Sequence, residues 1–142
     1  MNILFLCVGN SARSQIAEGL AKNMFGQNND IRSAGSKPSG LVHQGAIDVM
    51  QEVGIDLSNH SSKSIEDLDN EYIDNLDYVI TLCAEEICPV LPSKAKLLHW
   101  ANEDPANPKL NKIESEALFK ITRENIYNLL KKFLLDKIED SG

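Results

Sequence analysis

Apolar residues fall along this chain in distinguishable textures. Ile3-Leu4-Phe5-Leu6 is an unbroken apolar run leading to Cys7. Such a short continuous run predicts a strand buried on both faces, over Asn2–Cys7. From Ser14 to Phe25 the apolar positions Ile16, Ala17, Leu20, Ala21 and Met24 return at helical spacing, predicting a helix. Ile31–Ser36 reads as a brief strand or its exit, and "SKPSG" as a loop. His43 to Val53 predicts a second helix stopped at Gly54. Ser64 and Asp67 have the spacing of a capping box and predict one short helix reaching about Leu76. Tyr78–Leu82, "YVITL", is β-branched and apolar, hence a strand, and "KLLH" over Lys96–His99 is a weaker one. After the loop "WANEDPANPKL", a long helix is expected from about Ile113 to Ile138. Phe119, Ile126, Leu129, Leu130, Phe133 and Leu134 form its apolar face, which reads as core.

The predicted order is β-α-β-α-α-β-β-α. Strands joined through helices imply a mainly parallel sheet covered on both faces, an α/β fold. In such sheets ligands sit beyond the carboxyl ends of the strands. Two cysteines fall there, Cys7 after the first strand and Cys83 after "YVITL".

The chain has 142 residues, one domain's worth, and no internal repeat, so residues 1–142 read as a single domain. A formal net charge of -7 argues against nucleic acid or an anionic membrane as partner, so any anion site has to be local. No segment has the ~20 apolar residues of a membrane span, and the N-terminus lacks a basic leader. The expected compartment is the cytoplasm, where three cysteines suggest buried thiols, metal ligands or redox chemistry rather than static disulfides.

The chemistry concentrates in "CVGNSARS". Residues Val8, Gly9, Asn10, Ser11, Ala12, Arg13 and Ser14 lie between a strand and a helix start, where backbone N–H groups converge and the helix adds partial positive charge. That arrangement is a cup for a tetrahedral oxyanion. Gly9 is expected to supply the unusual backbone angles of the turn. Arg13 can return across the cup with its planar fork. The positive field favours the thiolate form of Cys7, the reactive form, and Ser14 can donate a hydrogen bond to that sulfur.

Cys83 and Cys88 enclose "AEEI". Nothing in the spacing completes a zinc site or a thioredoxin-type pair. They read either as two buried thiols or as a relay that takes an oxidation outward from Cys7. In "NEDPA", Asp104 precedes Pro105, which biases it toward extended backbone; it reads as a proton donor or as a simple turn opener, with Glu103 as local competitor.

"CVGNSARSQIAEG", "LCAEEICPVLP" and "HWANEDPA", in that order, resemble the thioredoxin-coupled arsenate reductase branch of the low-molecular-weight protein tyrosine phosphatase superfamily. The resemblance covers nearly the whole chain. It implies a three-layer α/β/α fold with a four-stranded parallel sheet. It also implies that Cys7 attacks arsenate, that Cys83 attacks the resulting adduct to leave a Cys7–Cys83 disulfide and arsenite, that Cys88 resolves this to Cys83–Cys88, and that thioredoxin reduces the last bond. Asp104 becomes the general acid. No bound cofactor or metal is implied; the electrons come from thioredoxin. Some relatives hold potassium behind the loop with residues matching Asn10, Glu18 and Ser33 plus an aspartate. Here Lys63 stands at the aspartate's position, so its ammonium is expected to pair with Glu18 and potassium dependence to be weak.

The sequence therefore reads as a monomeric cytoplasmic arsenate reductase, with phosphate or sulfate as analogue oxyanions and weak phosphatase activity. One alternative is a low-molecular-weight tyrosine phosphatase working through a Cys7 phosphocysteine; Ala106 and Asn107, where aromatic residues usually follow Asp-Pro in those enzymes, weigh against it. Another is a non-enzymatic oxyanion or redox sensor. His43, His60 and His99 read as lone histidines without a shared site, and Trp100 as packing near the acid loop.

Overall fold

Strand β1 (Asn2–Cys7) is the organising element. Ile3, Leu4, Phe5 and Leu6 are each completely buried. Sealing side chains of this size from water stabilises by roughly 1.5–3 kcal/mol each, which only a central strand with both faces covered can collect. The computed structural model describes residues 1–84 and 89–141 and shows that covering. β2 (Asp30–Gly35), β3 (Tyr78–Thr81) and β4 (Lys96–His99) complete a sheet of order β2-β1-β3-β4. All three pairings are parallel.

The alternation of side chains sorts the two layers. Ile3 and Phe5 pack against α1 (Arg13–Phe25), α2 (Gln44–Gln51) and the apolar stripe of α4 (Lys112–Ser141), led by Phe119, Ile126, Leu130 and Phe133. Leu4 and Leu6 face the other way, toward Leu68, Tyr72 and Leu76. The fold is thus the three-layer α/β/α architecture expected from the sequence.

Boundaries differ where caps decide them. The Ser64–Asp67 capping box forms, but it opens only a 3-10 turn over Ile65–Asp67. Leu68 is extended, and Asp69 then caps a separate helix, α3 (Asn70–Asp74). The single helix predicted from Ser64 to Leu76 is therefore two pieces, because a second acceptor at Asp69 competes for the chain's N–H groups. α2 starts one residue late because the His43 ring itself serves as its cap, accepting from Gly45 N–H at 2.9 Å. Gly54, at φ 77°, closes the turn after it. α4 starts on a reciprocal cap between Asn111 and Glu114.

Candidate active site

Cys7 ends β1, and after five intervening residues α1 begins at Arg13 with no side chain capping its first N–H groups. Those groups and the loop before them face a cavity of about 630 Å³ lined by Cys7, Val8, Gly9, Ser11, Ala12 and Arg13. Uncapped helix N–H groups beside an arginine suit an anion. Across the same cavity lie Ala84, Glu103 and Asp104.

The loop's shape is held by Asn10. It is the one non-glycine residue with positive φ, 45°, among the described residues. Gly9 does not adopt the left-handed region, so the conformational role expected of it belongs to Asn10. Asparagine tolerates this region because its short side chain bonds locally. Here the amide, completely buried, is used in full. Its Nδ2 donates to Ser14 Oγ at 2.8 Å and Ser33 Oγ at 2.9 Å. Its Oδ1 accepts from Lys63 N at 2.9 Å and Gln15 Nε2 at 3.1 Å. Because Ser14 Oγ accepts from Asn10, its own proton is left to donate to Cys7 Sγ, 2.9 Å away. Ser33 passes its proton on to Glu18 Oε1 at 2.6 Å.

Glu18 is a buried carboxylate at the end of this chain. Burial opposes its charge. Hydrogen bonds from Lys22 and Ser33, with the charges of Lys63 and His60, outweigh that and hold its carboxyl below the usual range. Lys22 Nζ lies 2.7 Å from Oε2 and Lys63 Nζ 3.7 Å from Oε1. His60 Nδ1 is 3.4 Å from Oε2 and 3.1 Å from Gln15 Oε1. Burial outweighs Glu18's attraction and lowers the His60 pKa, so at neutral pH this contact is a neutral imidazole against a carboxylate, not an ion pair.

Arg13, 4% exposed, reaches back across the chain. Its Nη1 donates to Asn102 O at 2.8 Å. Asn102 in turn donates from its backbone N to Leu82 O and from Nδ2 to Trp100 O, both at 3.0 Å. The acid loop that follows is tied down at Pro105, whose carbonyl accepts from Ser115 Oγ on α4 at 2.6 Å. Asp104 Oδ1 accepts from Ala106 N–H at 2.9 Å, an Asx turn that orients the carboxylate.

Cys83 follows β3, next to β1, and is 1% exposed. Cys7 is a free thiol, whereas Cys83 is disulfide-bonded. Cys88 lies outside the described residues. Of the residues singled out in the sequence, the structure brings Cys7, the loop, Arg13 and Asp104 to one cavity, and Asn10, Ser33, Glu18 and Lys63 to the network behind it. Sequence reading missed Gln15, His60, Gly35 and Asn102. Gln15 is a completely buried amide that also donates to Ser61 O at 2.9 Å. A long polar residue within the apolar turn of an otherwise buried helix is the signal that marks it. Asn102, named through its backbone carbonyl, leaves no such trace.

The sequence profile described as low molecular weight phosphotyrosine protein phosphatase matches residues 2–141. An arsenate reductase of Bacillus subtilis is 44% identical over 133 residues, covering 92% of this chain and 93% of the relative. Among solved structures, an arsenate reductase in the phosphate-binding state superposes with a TM-score of 0.77 at 30% identity, covering 94% of this chain and 96% of its own. A thioredoxin-dependent arsenate reductase of Corynebacterium glutamicum gives 0.68 at 30% identity, over 94% of this chain and 62% of the other. A match of this extent, on a fold whose central strand delivers a cysteine into a loop closed by an arginine, has a plain meaning: the chain belongs to the low molecular weight phosphotyrosine protein phosphatase family.

Proposed function

We propose that this protein is an arsenate reductase that draws its electrons from thioredoxin. The observation that carries the reading is the meeting in one cavity of the Cys7 thiol, the uncapped start of α1 with Arg13, and Asp104. The relatives at 41–44% identity are arsenate reductases, and a solved neighbour is thioredoxin-dependent.

The loop amides and Arg13 hold three oxygens of arsenate. Cys7 sulfur attacks arsenic, an S–As bond forms, and the fourth oxygen leaves as water with a proton from Asp104. Cys83, as thiolate, then attacks Cys7 sulfur. The S–S bond forms, the S–As bond breaks, and its electron pair stays on arsenic, which departs as arsenite. Cys88 attacks Cys83, frees Cys7 and leaves a Cys83–Cys88 disulfide for a thioredoxin dithiol to reduce. Behind the loop, Lys63 supplies a fixed positive charge to Glu18, so activity depends little on potassium. Phosphate fits the same cup, so slow hydrolysis of phosphate esters through Cys7 accompanies the main reaction. We assign these steps to one domain, residues 1–142, acting as a monomer in the cytoplasm. Among the described residues no helix is long and apolar enough to cross a membrane.

The test is arsenate-dependent NADPH oxidation with thioredoxin and thioredoxin reductase, wild type beside Cys83→Ser. Sustained oxidation in wild type only is expected. No oxidation, with phosphate esters hydrolysed equally by both proteins, would leave a phosphatase with spectator thiols.

A further inference from the structure

A second hollow, of about 330 Å³, opens where β4 meets the C-terminal half of α4. Topology explains it. β4 is an edge of the sheet, so Leu98 and Trp100 are flanked by α4 on one side and by no further strand on the other. The walls are aromatic and well braced. Phe133 stands edge-on to Tyr78, with centroids 4.9 Å apart, and to Trp100 at 6.2 Å. Such packing fixes the planes of the rings that line the hollow.

The rim is basic in an acidic protein. Lys96, Lys132 and Lys137 border the hollow against the single carboxylate of Asp136, while the chain as a whole carries -7. Lys137 is engaged with the Tyr78 ring, 4.5 Å from its centroid. Lys96 and Lys132 have no carboxylate partner among the described residues. A cavity of a few hundred Å³ with apolar walls and a few convergent charges has the properties of a small-molecule site. The sign of that rim calls for an anionic occupant, and the enclosed volume of about 330 Å³ suits a small one.

We propose that this cavity binds a small organic anion with a flat apolar body, such as an aryl carboxylate or aryl sulfonate. The ring lies against Trp100 and Phe133, and the anionic group sits between Lys96 and Lys132. The site is separate from the Cys7 cavity and does not depend on the activity proposed above.

Trp100 is the only tryptophan in the chain, so it serves as a built-in reporter. The probe is 8-anilinonaphthalene-1-sulfonate, titrated into the protein with excitation of Trp100. Saturable energy transfer is expected, unaffected by saturating phosphate. The Lys96→Gln/Lys132→Gln variant should bind about fivefold or more weaker, the loss of two partly exposed ion pairs. N-phenyl-1-naphthylamine, the same ring system without the sulfonate, should weaken similarly with wild type. An unchanged near-UV circular dichroism spectrum checks the variant's fold, and Lys132→Gln alone, with a smaller loss, serves if the double variant is unstable. Displacement of the probe by phosphate would put it in the Cys7 cavity and overturn the proposal. So would equal affinity for the variant or the uncharged probe. Probe loss with rising protein concentration, matched by dimers in sedimentation, would give the surface to a second copy instead.

Discussion

The guanidinium of Arg13 donates from Nη1 to the carbonyl oxygen of Asn102, 2.8 Å away and 89 residues along the chain. One end of the oxyanion loop is thereby attached to the residue just before Glu103 and Asp104. The attachment uses a backbone atom, and Asn102's own side chain holds that atom in place by donating to Trp100 O. Substituting Asn102→Ala removes this brace, worth about 1 kcal/mol. Steady-state kinetics should show KM for arsenate raised about fivefold with a smaller change in kcat. An unchanged KM would mean that Arg13 is oriented without Asn102.

Gly35 touches the loop from β2. A Cβ at this position would overlap the carbonyl oxygen of Val8 and lie 3.0 Å from Asn10 N. Both are backbone atoms, and Val8 O also accepts from Lys37 N, so neither yields easily. Gly35→Ala should cost about 1–3 kcal/mol in urea unfolding and depress arsenate turnover more than a Gly9→Ala change. At Gly9 the nearest atom to a Cβ is Ser11 Oγ at 3.5 Å, ordinary van der Waals contact.

The network behind the loop titrates. His60 has its pKa lowered, chiefly by burial, so the unfolded chain binds its proton more readily than the folded one. Stability from this group is complete above the unfolded value of 6.5 and falls as pH drops below it. Glu18, also depressed on balance, adds a second loss as pH falls below its ordinary 4.5. Thermal melts of wild type should decline through both windows. His60→Gln, which keeps an amide donor for Gln15 and does not titrate, should be flat through the first and decline only in the second. A His60→Gln melt curve parallel to wild type below pH 6.5 would remove His60 from the account.

The thiols are separable by turnover number. Cys7→Ser should abolish arsenite formation. Cys88→Ser should yield about one arsenite per protein in a quenched, thioredoxin-free reaction, and should fail to recycle when thioredoxin is added. Multiple turnovers in Cys88→Ser would sink the relay.

Much of the fold was legible because each strand and helix advertises its own burial. The strand predicted over Asn2–Cys7 has the same limits in the structure, since a short unbroken apolar run is buried on both sides as a central strand. The Ser64–Leu76 segment departs from the single helix its pattern predicts, because two caps, at Ser64 and Asp69, look alike in sequence and divide the helix when both are occupied. In sequence, Gly9 is the natural carrier of the loop's special angles, because glycine tolerates them at least cost. The structure gives them to Asn10, whose buried amide has four partners drawn from three separate segments.

That contrast divides the molecule. The sequence by itself determined the α/β order, the strand-to-helix loop with Cys7 and Arg13, and the presence of an acid beside Pro105. These depend on residues close together in the chain, where period, propensity and caps act. Only the tertiary structure decided that Asn102 O receives Arg13, that Gly35 makes room for Val8, and that His60, a histidine with no local sign of purpose, is held neutral against Glu18. Those contacts join residues dozens of positions apart through backbone atoms and burial, and neither quantity exists until the sheet and its two helical layers have closed.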